Sequence, residues 1–309
     1  MAQSPSSSTS FPSSSLWRRL GAARLSRLMS LALTLGLLPL LAACSIDTGG
    51  VTTGSGTPRP VTTGTPSSQA TEAPAPCLLG TCYTPEQIRD AYGVTPLINR
   101  GLTGKGQTVV LIESYGSPTI QQDLNTFDQQ FGLPPLTVKV LSPLGTVPFD
   151  SSNTEMTGWQ GETSLDVETV HAIAPGANIT ILTSPVDETE GVQGIPQFLQ
   201  LEQYAVSHHL GNIISQSWAA SEVSLNDTAG KNIVSQFDAF FKQATTTDGM
   251  TFFGSTGDNG ATDCVVYDAS TSSCTQYSST PTIAYPAGDP WVTAAGGTSL
   301  NISGASATE

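Results

Sequence analysis

From residue 84 onward, short runs of consecutive apolar residues alternate with longer stretches in which apolar positions recur every three or four residues. The first kind makes strands buried on both faces, the second makes helices that lay one face against them. Thr84-Pro85-Glu86-Gln87 reads as a helix start, with Thr as N-cap, Pro in the first turn and Gln at N3, and Gly93 ends the helix after Tyr92. Gln107 to Glu113 is a strand, apolar almost throughout and closed by an acid. The pattern then predicts a helix over 119–131 ending at Gly132, a strand over 136–141 and a helix over 162–174 stopped by Pro175-Gly176. It continues with a strand over 178–182, a helix over 196–209, a strand over 212–217, a helix over 228–248 and strands over 250–255 and 292–295. Such alternation predicts an α/β fold, a doubly wound, mostly parallel sheet. Ligands bind such sheets at the carboxyl ends of the strands, where this chain carries Glu113, Trp218 and Asp258.

The first 76 residues have a different character. Residues 1–16 are Ser-rich, Arg18 to Arg27 are basic, and Leu28 to Ala43 is a short apolar run ending in Leu41-Ala42-Ala43-Cys44. Charge, apolar run and small-residue ending together read as an export signal over 1–43. The ending resembles a bacterial lipobox, which would make Cys44 a lipidated N-terminus; a plain signal peptide or a retained anchor is the alternative. Residues 44–76 form a Thr/Gly/Ser/Pro linker with Val-Thr-Thr-Gly at 51–54 and again at 61–64, a composition that buries no core. The globular part is expected over 77–309.

Charge sharpens this picture. The 309 residues carry a formal net charge of −14, and the region after residue 77 has 6 basic against 23 acidic residues, a net −17. Such a surface excludes nucleic acid as a partner and suits an exported protein, including one that works in acid. Four cysteines besides Cys44 fall into two close pairs, Cys77/Cys82 and Cys264/Cys274, with no histidine near either. They read as local disulfides, Cys77–Cys82 and Cys264–Cys274, rather than a metal site.

Glu162 and Asp166 stand four apart, on one face of the helix over 162–174. On an exposed helix, with Glu168 nearby, this is a solvated acidic face. In a cleft the pair raises one carboxyl pKa, which makes a proton-transfer group. His171 lies about 140° around the helix from Asp166, and His208 and His209 sit near a helix end, so a Ser-His-Asp site is not formed.

The motifs settle between these readings. Tyr83 to Gly93, Glu162-Thr-Ser-Leu-Asp-Val-Glu168, His171 to Ala177 and Ser215-Gln-Ser-Trp218 appear in that order. Gly257-Asp-Asn-Gly-Ala-Thr-Asp263 and Tyr285 to Leu300 follow. In this set and order the chain resembles the sedolisins, serine-carboxyl peptidases with a subtilisin-like fold. The resemblance implies Glu162 as general base toward a nucleophilic serine, Asp166 as its proton-sharing partner and Asp258 as a protonated donor to the oxyanion. It implies Glu113 and Trp218 as supporting residues that extend the carboxyl network and wall the cleft. Polypeptide substrates and acid-pH activity follow from it.

Three departures accompany the resemblance. The family's nucleophile element, Gly-Thr-Ser-x-small-x-Pro, and its calcium site are expected beyond Glu309, so no cofactor is expected within this chain. Gly296-Gly-Thr-Ser299 continues as Leu-Asn-Ile-Ser and lacks the proline. Ala219 replaces the glycine that usually follows the tryptophan. The chain is therefore expected to be the N-terminal part of a catalytic domain, inactive by itself, with an uncovered sheet edge. A non-catalytic surface lipoprotein that binds peptides or partners is the second expectation.

Overall fold

A computed structural model describes residues 83–308 apart from 189–191, 269–272 and 304–305. The expected export signal, the linker, Cys44 and the Cys77–Cys82 pair lie outside the described residues. Among the described residues no helix is long and apolar enough to cross a membrane.

The chain opens with α1 (Pro85–Ala91), held by the full capping box that Thr84 and Gln87 predict, and a short α2 (Thr95–Asn99). The central strand β1 (Thr108–Ser114) is followed by α3 (Ile120–Phe131), which ends at Gly132 with φ of 65°, in the left-handed region open to glycine. Next come β2 (Lys139–Leu141), α4 (Thr154–Ile173), β3 (Asn178–Ser184), α5 (Ile195–Ser207) and β4 (Ile213–Gln216). A two-residue β5 (Ala220–Ser221) precedes α6 (Thr228–Thr247) and β6 (Thr251–Ser255). The hairpin β7 (Cys264–Asp268) and β8 (Ser273–Tyr277), β9 (Ala284–Tyr285), β10 (Val292–Ala295), β11 (Asn301–Ser303) and β12 (Ser306–Thr308) complete it. Cys264 and Cys274 are joined by a disulfide across the β7–β8 hairpin.

Six strands form one parallel sheet in the order β10-β6-β4-β1-β3-β2. After β3 the chain crosses β1 to lay down β4 on its far side, so the winding reverses around β1. The side chains of β1 alternate between two cores. Val110 and Ile112 join Phe198, Leu201, Phe237 and Phe241 of α5 and α6. Leu111 joins Leu124 of α3, Val167 of α4 and Ile181 of β3. Each fully buried aliphatic or aromatic side chain contributes about 1.5–3 kcal/mol. The sheet is less well covered at β10, where Thr293, Ala294 and Ala295 are exposed, and on one face of β6, where Phe253 is exposed while Phe252 is buried.

The predicted and observed elements agree closely except at α4. Its predicted start, residue 162, is eight residues late. The helix begins after Asn153, whose side chain accepts from the Met156 N–H at 3.1 Å, and it runs straight through Gly158 and Gly161. Those two glycines carry about 1 kcal/mol each of helix penalty against alanine, which tertiary packing of Met156 and Trp159 outweighs. In α6, Asp227 caps by accepting from Gly230 N at 2.6 Å, and glycine is required at 230 because a Cβ there would meet the Leu225 carbonyl at 2.2 Å.

Candidate active site

The site is built by the two-residue period of β1 and the four-residue spacing of α4. Glu113 shares the Leu111 face of β1, turned toward α3 and α4, and is fully buried at the carboxyl end of the strand. Glu162 and Asp166 lie one turn apart on α4. Glu168 turns elsewhere, toward Asp123 and Asp128 on α3, so the acidic stretch divides between two surroundings. Ser217, just past β4, keeps the strand's alternation and reaches α4: its Oγ donates to Asp166 Oδ2 at 2.8 Å. Thr163 Oγ1 donates to the Trp159 carbonyl at 2.7 Å and stands 3.5 Å from Glu113 Oε2.

These groups titrate as a set. Burial pushes the Glu113 carboxyl well above its usual range, and the Asp166 and Glu162 charges push it the same way. Glu113 is thus the neutral member in acid and donates to Asp166, which favours the Asp166 anion. Asp166 is raised by its own burial, against the bonds from Ser217 and Glu113 that lower it. Half-buried Glu162 is raised by burial and then by the Asp166 charge, with Asp258 adding to the rise and the Ser217 hydroxyl opposing it. Protons therefore belong to the cluster rather than to single residues.

Asp258 lies in the loop after β6. It is exposed, lines the same cleft as Ser217 and Glu188, and is close enough for its charge to act on Glu162. The structure therefore brings Glu113, Glu162, Asp166 and Asp258 to one end of the sheet. Trp218 is a correction. It does not wall the cleft: it is fully buried on the opposite face of the sheet, stacked on Phe198 at 4.8 Å and packed on Phe237 at 5.5 Å. One step of alternation separates it from Ser217 and sends it into the α5–α6 core. The indole that lines the cleft is Trp159 of α4.

Sequence reasoning also missed Ser217, Glu155 and Glu188 as cleft residues. Glu188 follows β3 and accepts from its own N–H and from that of Ala219; burial pushes its carboxyl up to about 8. Ser299 is exposed beyond β10 and is not among the residues lining the cleft. His171 is buried elsewhere, with Nε2 3.1 Å from Asp128 Oδ1 and 2.9 Å from the Pro134 carbonyl, where it ties α4 to α3. Among the described residues no three His, Cys, Asp or Glu side chains converge to hold a metal ion.

Kumamolisin from Bacillus sp. (strain MN-32) is 30% identical over 227 residues, which are 71% of this chain and 35% of kumamolisin. The chain is sedolisin-like. The solved Pseudomonas sedolisin, a serine-carboxyl proteinase complexed with two molecules of pseudo-iodotyrostatin, superposes with a TM-score of 0.52 at 23% identity. That match covers 72% of this chain and 55% of the solved one, and it establishes a subtilisin-like fold. No family model matches the chain. The chain thus spans about a third of the length of kumamolisin.

Proposed function

We propose that the described domain carries the carboxyl half of a serine-carboxyl endopeptidase site acting on polypeptides in acid. Glu162 is the general base, Asp166 orients it and shares its proton, Glu113 holds the proton that stabilises Asp166, and Asp258 faces the developing oxyanion. The observation that carries this reading is the Glu113–Asp166–Ser217 chain of hydrogen bonds beside Glu162. A base with a raised pKa takes a proton from a hydroxyl more effectively than an ordinary carboxylate, and it does so near the acid end of the pH scale.

A second, non-catalytic reading has its own observation. Ser217 is the described hydroxyl bonded to the pair, and its proton is committed to Asp166. Ser299 is exposed and outside the cleft lining. The 309-residue chain is therefore expected to bind unfolded peptide without cleaving it. Export, lipidation at Cys44, a Cys77–Cys82 disulfide and surface attachment belong to the same proposal, supported by the basic and apolar N-terminal pattern and the strongly acidic remainder.

The test is incubation of the 309-residue chain with an unfolded protein at about pH 4, near the ordinary carboxyl pKa range, with binding and hydrolysis followed in parallel. Binding without hydrolysis is the expected result. Hydrolysis that disappears in Glu162→Gln supports the base assignment and overturns the expectation of inactivity. Hydrolysis indifferent to Glu162→Gln overturns the assignment, and neither binding nor hydrolysis overturns the peptide-cleft reading.

A further inference from the structure

A pocket of about 270 Å³ opens beside the catalytic pair, lined by Glu155, Gly158, Trp159, Glu162, Glu188 and Ser217. Its volume equals about nine waters' share of liquid volume, room for one long side chain. Its walls are acidic on two sides, α4 supplying Glu155 and Glu162 and the loop after β3 supplying Glu188. Among the described residues no Lys, Arg or His lines it or the adjoining cleft that Asp258 borders. Its floor is the Trp159 indole, and at Gly158 a Cβ would meet nothing within 4 Å, so the missing side chain there leaves the space open.

The carboxylates are not equally satisfied. Asp187 accepts from the Tyr115 hydroxyl and shares a hydrogen bond with Glu155. Glu188 accepts from its own N–H and from Ala219 N–H, yet its Oε2 is buried and has no partner among the described residues. A buried acceptor without a donor is costly, and a donor carrying positive charge would satisfy it best. Among the described residues no three acidic groups converge as a metal site here.

We propose that this pocket is a subsite for a cationic side chain of a bound peptide, arginine or lysine, its head group held by Glu188 Oε2 and Glu155 and its aliphatic stem laid along Trp159. The proposal rests on the peptide-cleft reading and adds to it the substrate class. Guanidinium and ammonium groups pair with carboxylates and with indole faces, and their apolar stems cover aromatic surface. The cation requires an ionised Glu188. Burial first, then the charges of Asp187 beside it in the loop and of Glu155 on α4, oppose that ionisation in the empty pocket. Binding therefore drives a proton off, and preference for the cation grows from acid toward neutral pH.

The test is fluorescence anisotropy on the 309-residue chain at low salt. One probe set is labelled octapeptides of Ala and Phe with Arg placed at each position in turn. The other is the same set with citrulline, which keeps the shape and loses the charge. At about pH 6.5, below the range in which Glu188 ionises unaided, Arg at one position is expected to bind at least about tenfold tighter than citrulline, with a smaller ratio at about pH 4.5. Glu188→Gln is expected to bring the ratio below about threefold while citrulline binding is unchanged. Gly158→Leu, in an open helical position that tolerates a side chain, fills the pocket and is expected to do the same to the ratio. Citrulline binding with no Arg preference, or a preference that survives both variants, overturns the subsite and leaves the cleft reading intact. Binding of neither set overturns both.

Discussion

Glu188→Gln should stabilise the fold in a way that depends on pH. In the folded chain the carboxyl is raised from 4.5 to about 8, chiefly by burial, so between those values the native state holds a proton that the unfolded state has released. Stability then falls as pH rises through that window and is unaffected below about 4.5. At about 1.4 kcal/mol per unit, the full window is a ceiling of about 5 kcal/mol, of which about 3 kcal/mol is lost by pH 7. Solvent reaching the pocket mouth reduces the expected gain at pH 7 to about 1–3 kcal/mol. The amide oxygen of Gln still accepts from the N–H groups of residue 188 and Ala219, so little else changes. Thermal unfolding at about pH 4 should show no difference between variant and parent, and at about pH 7 a rise of about 2–12 °C, given about 2–4 °C per kcal/mol for a domain of this size. An equal shift at both pH values, or destabilisation at pH 7, would refute the placement of Glu188 as a buried, under-satisfied acid.

Trp218→Ala should cost about 3–5 kcal/mol in a denaturant titration, since it empties the space between Phe198 and Phe237; a loss below about 1 kcal/mol would return Trp218 to the cleft wall. Gly161→Ala, at a helical position where a Cβ meets nothing within 4 Å, should raise stability by about 0.5–1 kcal/mol, and a decrease would mean that α4 does not run unbroken through that residue. Reduction of Cys264–Cys274, which closes a loop of 10 residues, should cost about 2–3 kcal/mol by the chain-entropy account and loosen the β7–β8 hairpin in hydrogen exchange.

The sheet was legible because its strands are written as consecutive apolar residues. β10 was placed to the residue, and β1, β4 and β6 to within one residue at each end. Glu113 could be read as an ordinary strand-end residue and Glu162 and Asp166 as a solvated helix face; it was the ordered motifs around them, not spacing, that marked them as a candidate site. What was not legible depended on neighbours far away in the chain. Gly158 and Gly161 read locally as breakers, although the packing of Trp159 carries α4 past them. Trp218 and Ser217 differ by one step of a strand whose two faces meet different helices, so composition could not say which one faced the cleft. Asp187-Glu188 looks like a solvated loop pair; only the fold brings it against Glu155 and Ala219. The short β5–β9 pairing joins residues more than sixty apart and has no local pattern.

The central claim is that buried Glu113 and partly buried Asp166 and Glu162 share protons as one set. Carboxyl carbon NMR of the chain labelled at Glu and Asp, titrated from about pH 3 to pH 8 and assigned with Glu113→Leu, which leaves no donor, and Glu162→Gln, measures this directly. The account predicts that Glu113 stays protonated well above 4.5, that Glu162 titrates above 4.5, and that removing Glu113 raises the Asp166 midpoint by taking away its donated hydrogen bond. Independent titrations of Glu113 and Glu162 at the ordinary value of 4.5, unmoved by each other's removal, would contradict it.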